Sequence, residues 1–112
     1  MTADTVLAPV EAQLAAYNAQ DVDAFVACFA EDVVIEDGAG QVVSTGRAVM
    51  RENYARMFST YPQNRAEILH RIVQGAYVVD HERITGRTSE PYFAVAIYRV
   101  EAGLIRHVRF LR

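Results

Sequence analysis

Apolar positions recur at helical spacing over the first part of the chain and at strand spacing over the second half. Val6, Val10, Leu14 and Tyr17 share one stripe of a helix read from Thr5 to Asn18. Asp21 is placed as an N-cap, its carboxylate accepting from the free amides of the next turn. Val22, Phe25, Val26 and Phe29 make the buried stripe of a short second helix, closed by Glu31-Asp32. Val33-Val34-Ile35 is β-branched and predicts a strand. Gly38 and Gly40 bracket a turn, and Gln41 to Ser44 is a short returning strand. A third helix runs from Arg47 to Ser59, with Val49, Met50, Asn53, Tyr54, Met57 and Phe58 on or near its inner face. Tyr61-Pro62 ends it, because proline disfavours helix in the residue before it.

The remainder reads as strands: Ala66 to Gln74, Tyr77 to Arg87, Tyr92 to Val100 and Leu104 to Leu111. Gly75-Ala76, Thr88 to Pro91 and Glu101 to Gly103 are the connections. Helices first and a meander of long strands afterwards is an α+β order, not alternating βαβ. A strongly curved, mainly antiparallel sheet wrapped around the N-terminal helices fits it.

Composition narrows the function classes. The 112 residues suffice for a single domain, 1–112, with one pocket, and 52% hydrophobic content supports a packed core. Eleven basic residues against 14 acidic ones give a net charge of −3, and the basic residues are scattered. That argues against a nucleic-acid partner, which calls for a basic stripe. No apolar run approaches the roughly 20 residues that span a bilayer, and no secretory signal is evident, so a membrane partner is not expected and a cytoplasmic setting is. Cys28 is the one cysteine and lies in the apolar run FVACF, which reads as a buried, inert thiol. The three histidines lack metal-ligand spacing, so neither metal nor other cofactor is expected.

The strand from Tyr77 carries the densest chemistry. Period-two alternation puts Tyr77, Val79, His81, Arg83 and Thr85 on one face, and Val78, Asp80, Glu82 and Ile84 on the other. A one-residue bulge would exchange the faces.

The stretch YNAQDVDAFVACFAEDVVIEDGAGQVVSTGRAVMRENY, Tyr17 to Tyr54, resembles the NTF2-like superfamily, and within it the ketosteroid-isomerase and SnoaL-like branches. The resemblance extends over nearly the whole chain. It implies a cystatin-like cone with a deep pocket for an apolar small molecule. In the isomerases the second residue of the Glu36-Asp37 pair is the general base, so the resemblance implies proton transfer at Asp37: isomerisation, cyclisation or dehydration. A desolvated carboxylate at the rim of an apolar pocket suits that role. The alternative is that the pair ends a strand and caps the Gly38 turn.

Enolisation also needs donors facing the developing oxyanion. The isomerase tyrosine and aspartate positions fall here on Gln13 and Ala96, of which Ala96 has no donor to offer. Tyr17 lies one turn from Gln13 and is a candidate substitute. The His81/Arg83 face is assigned to the pocket because this strand resembles one in limonene-epoxide hydrolases that brings an arginine into the site. Thr85 stands where their aspartate would be. His81 with Asp37 would then form an acid/base pair, the alternative being a surface or interface histidine.

Pocket walls are expected from Phe25 and Phe29, from Val33 and Ile35, and from Asn53, Tyr54 and Phe58 on the third helix. Ala94, Ala96, Tyr98, Val108 and Phe110 would supply the sheet side. A non-catalytic ligand-binding module and a dimeric interaction domain remain the alternatives to an enzyme. The outer sheet face, with Val95, Ile97, Ile105, His107, Arg109 and Leu111, is the expected homodimer surface.

Overall fold

The computed structural model describes residues 2–112. Helix α1 spans Ala3–Ala19 and starts where the Thr2 hydroxyl accepts the Thr5 amide at 3.2 Å. It ends at Gln20, whose left-handed backbone (φ 58°) returns its N–H to the last carbonyls. Helix α2, Val22–Val26, is capped by Asp21 as its sequence predicts. Strand β1 is Phe29–Glu36, β2 is Val42–Thr45, and helix α3 spans Arg47–Thr60. Strands β3 (Arg65–Gln74), β4 (Tyr77–Thr85), β5 (Tyr92–Glu101) and β6 (Leu104–Leu111) complete the chain.

The six strands form one mixed, curved and unclosed sheet in the order β2-β1-β6-β5-β4-β3. Only the β1–β6 pairing is parallel. The three helices cover the inner face, where Val6 and Val10 of α1 and Met50 of α3 are fully buried against Val78, Val100 and Val108 of the sheet. Phe25 is the hub of an aromatic cluster, with Phe29 at 4.9 Å and Tyr54 at 4.5 Å between ring centroids. Asn18 pins the end of α1 to the start of β3. Its amide donates to the Ala66 carbonyl at 3.0 Å and its oxygen accepts the Ala66 N–H at 2.8 Å.

Three expectations change. Phe29 opens β1 instead of closing α2, because the helix stops after five residues and Phe29 pairs with Ile105 on β6. Glu31 and Asp32, read as a helix end, lie within the strand, where the β1–β6 register shifts between Phe29 and Val34. Ile105 is fully buried instead of facing outward. The β5–β6 register shifts between Arg99 and Val100, where β6 carries one extra residue, Arg106, and this breaks the alternation that would have set Ile105 on the same face as His107.

Candidate functional site

The interior space has two parts. An inner cavity of about 40 Å³ lies between the helices and the sheet, bounded by Gln13, Phe25, Glu82, Ala94 and Tyr98. It has room for water or for one small group of a ligand, not for a whole ligand. An open cleft of about 890 Å³ lies outside it, between the β1–β2 turn and α3. That volume is in the range of small-molecule sites, about 300–1,000 Å³. Ile35, Tyr54, Met57, Arg87, Phe110 and Arg112 border both spaces and form the throat between them.

Strand β4 decides which ionisable groups face inward. Its pairing with β5 runs without a bulge, setting Val78 against Tyr98, Asp80 against Ala96 and Glu82 against Ala94. Tyr98, Ala96 and Ala94 are buried under the helices, so their β4 partners are too. The Asp80/Glu82 face is therefore the inner one, and the assignment of His81 and Arg83 to the pocket is corrected. His81 stacks on His70 at 5.6 Å and lies beside Phe93 on the outer face. Arg83 sits there 3.8 Å from Glu67.

The two inner carboxylates differ in what meets them. Asp80 is completely buried and held by both arms of Arg71, at 2.6 and 2.9 Å. That bidentate pair raises the Arg71 pKa further, mainly through the hydrogen bond. Glu82 borders the cavity and has no hydrogen-bond partner or ion pair within reach among the described residues. Burial, reinforced by the nearby Asp80 charge, pushes its pKa up from 4.5 to about 7. Small residues opposite, Ala94 and Ala96, leave that side of the sheet unfilled.

Two tyrosines bring polar atoms to the same cavity. The Gln13 side-chain amide donates to the Tyr98 hydroxyl at 3.2 Å, which leaves the Tyr98 proton free to donate. Asn64 likewise donates to the Tyr17 hydroxyl at 2.7 Å. Burial raises the pKa of both phenols, so both stay protonated donors at neutral pH. Phe25, Phe29, Val108 and Phe110 border the cavity. Phe58 and Ala96 are buried but border neither space: Phe58 packs in the aromatic cluster and Ala96 lies beside Asp80 on the adjacent strand. Val33 is likewise core.

Asp37 borders the outer cleft, not the cavity. Its Oδ1 accepts the amides of Ala39 at 2.9 Å and Gln41 at 3.0 Å, closing the β1–β2 turn. Asn53 is exposed at the cleft rim and accepts from Arg56 at 2.8 Å. His107 pairs with Glu36 across the β1–β6 boundary.

Glu82, Arg87, Tyr92 and Arg112 are the site residues that sequence reading passed over. The signal for Glu82 was present: Val78 and Ile84 flank the acidic pair on one parity. The competing parity, with Val79 and aromatic Tyr77, was equally apolar. Arg87 lies two residues past the end of β4, where strand parity no longer applies. Gly86, at φ +84°, places it: an added Cβ would stand 2.0 Å from the Gln63 carbonyl oxygen, so only glycine lets the two backbones meet.

A curved sheet wrapped on three helices with a cleft at its open end defines an NTF2-like, cystatin-like α+β protein. The chain belongs to the SnoaL-like domain family, whose model matches residues 10–108. An uncharacterised cystatin-fold protein from Novosphingobium aromaticivorans is 35% identical, with 96% of this chain and 97% of that one covered and a TM-score of 0.89. An LEH-like epoxide hydrolase from M. tuberculosis is 20% identical over 96% of this chain and 81% of that one, with a TM-score of 0.83. A hypothetical protein with a ketosteroid isomerase-like fold from Catenulispora acidiphila is 20% identical over 92% and 83%, with a TM-score of 0.76. At 20% identity the likeness is one of fold. No helix among the described residues is long and apolar enough to cross a membrane.

Proposed function

We propose that the protein binds an apolar small molecule in the cleft and moves a proton on the part that reaches the inner cavity, with Glu82 as the acid/base group. One observation carries this: a carboxyl with no ion-pair partner among the described residues borders the cavity, its pKa raised by burial to about 7. A group poised there exists in both protonation states at neutral pH and can take a proton from carbon and return it. The Tyr98 and Tyr17 hydroxyls are the candidate donors to a carbonyl oxygen as charge develops on it. Isomerisation, cyclisation and dehydration share that proton step. The setting proposed is cytoplasmic, with Cys28 a buried thiol whose pKa burial raises.

Asp37 is the second candidate base, since it borders the cleft where the ligand would lie. Its role in closing the turn ranks it below Glu82. Deuterium exchange separates the two. Steroid, polyketide and terpenoid ketones are incubated in D2O with the wild type, Glu82→Gln and Asp37→Asn, and label at the carbon beside the carbonyl is read by mass spectrometry. Glu82→Gln is expected to lose exchange by about 100-fold or more and Asp37→Asn to keep most of it. The reverse pattern would make Asp37 the base. Ligand binding without exchange in the wild type would support a non-catalytic binding module.

The outer sheet face is the proposed homodimer surface. Ile72 and Phe93 are 63% and 53% exposed there, beside partly buried Val95 and Ile97. Sedimentation at micromolar concentration should show a dimer, and a monomer would remove the proposal.

A further inference from the structure

Resting on the pocket reading above, we infer that the ligand is an apolar carboxylic acid, its carboxylate seated between Arg87 and Arg112 at the throat. Both residues border the inner cavity and the outer cleft. Neither has an acidic partner within 4 Å among the described residues, a state they share with Arg47, Arg56, Arg65 and Arg109 but not with Arg51, Arg71, Arg83, Arg99 and Arg106. Arg87 and Arg112 are held instead by rings. Arg87 lies over Tyr61 at 5.4 Å and donates to the Tyr92 hydroxyl at 3.2 Å. Arg112 lies over Tyr92 at 5.9 Å and over Phe110 at 5.6 Å. Stacking of this kind orients a guanidinium without neutralising it.

The local charge balance points the same way. Among the described residues Glu82 is the one acid bordering the cavity, and it forms no ion pair with either arginine. In the cleft, Glu36 is paired with His107 and Asp37 accepts turn amides. An incoming carboxylate meets two ring-stacked guanidinium groups, Arg87 partly buried and Arg112 exposed, in a cleft walled by Tyr54, Met57 and Phe110, where a charge-assisted hydrogen bond is favoured. A neutral ligand of the same shape would leave both groups unused.

A matched pair of fluorescent probes tests this. 1-Anilinonaphthalene-8-sulfonate and N-phenyl-1-naphthylamine share an aromatic body, and only the first carries an anionic group. The wild type is expected to bind the sulfonate at least about 10-fold more tightly, as charge-assisted hydrogen bonds allow. Arg87→Gln and Arg112→Gln should each weaken sulfonate binding by about 10-fold and leave the neutral probe unchanged. Arg83→Gln, on the outer sheet face, should change neither. Bound sulfonate should be displaced by 4-phenylbutyrate and not by 4-phenylbutyramide, which establishes the carboxylate.

Equal affinity of the wild type for both probes overturns the inference while leaving the apolar pocket intact. Failure of both probes to bind removes the pocket reading itself. Loss of sulfonate binding in Arg83→Gln would place the probe on the outer face and also overturn the inference. Should a throat variant fail to fold, rising sodium chloride on the wild type gives the same discrimination. Sulfonate affinity should fall with salt and the neutral probe's should not, and a salt-independent sulfonate affinity counts against the throat arginines.

Discussion

Strand β4 carries ionisable side chains on both faces, and the two faces treat them differently. On the outer face His81 and Arg83 sit beside His70 and Glu67, partly open to solvent. On the inner face Asp80 and Glu82 are under the helices, one matched by Arg71 and the other unmatched. Residues of adjacent number thus range from surface decoration to structural ion pair to candidate acid/base group. The difference lies not in residue type but in whether burial is compensated. A buried charge with a bidentate partner is held in place; one without a partner has its proton affinity moved toward neutrality.

The largest expected effect breaks the compensated inner pair. Asp80→Ala leaves the half-buried Arg71 with only Glu11, at 3.7 Å, and should cost about 4 kcal/mol in urea denaturation. A loss below about 1 kcal/mol would mean that Asp80 is not buried as described.

The next effect concerns Glu82 and depends on pH. Its pKa in the folded protein is raised from 4.5 to about 7, so the folded state holds this proton more tightly than the unfolded chain does. The associated stability is fully present below pH 4.5 and is lost as pH rises through about 7. Glu82→Gln removes that loss. The variant should match the wild type at low pH and exceed it by about 3 kcal/mol above neutrality. A constant difference across the range would contradict the burial of an ionisable group at this position.

The smallest effect belongs to the outer face. His81→Ala should change stability by less than about 1 kcal/mol and leave affinity for cleft ligands unchanged. A loss of ligand binding in this variant would reverse the assignment of the two faces.

The fold was legible because its signals are local and redundant. The Asp21 cap, the apolar stripe of α1, the glycine turns and the β-branched strands each specify a short element, and they agree with one another. The family resemblance carried by Tyr17 to Tyr54 pointed to the same cone. The site was less legible because it depends on strand parity, which changes sides with one residue. The early end of α2 moved Phe29 into β1, and the register shift between β5 and β6 moved Ile105 inward. Along β4 no bulge occurs, and the error came from matching Arg83 to an arginine of another branch in preference to the parity of Val78 and Ile84. The throat arginines were out of reach for a different reason. Arg87 and Arg112 come together only when the end of β4, Tyr92 and Phe110 have been folded against one another.

An acid/base role for Glu82 requires that its carboxyl face the cavity and titrate near neutrality. Carbon-detected NMR of the glutamate side chains, assigned with Glu82→Gln, measures this directly across pH 3 to 9. A Glu82 midpoint near 7 is the predicted result. A midpoint near 4.5, the ordinary glutamate value, would show a solvated carboxylate and contradict the assignment of Glu82 as the acid/base group.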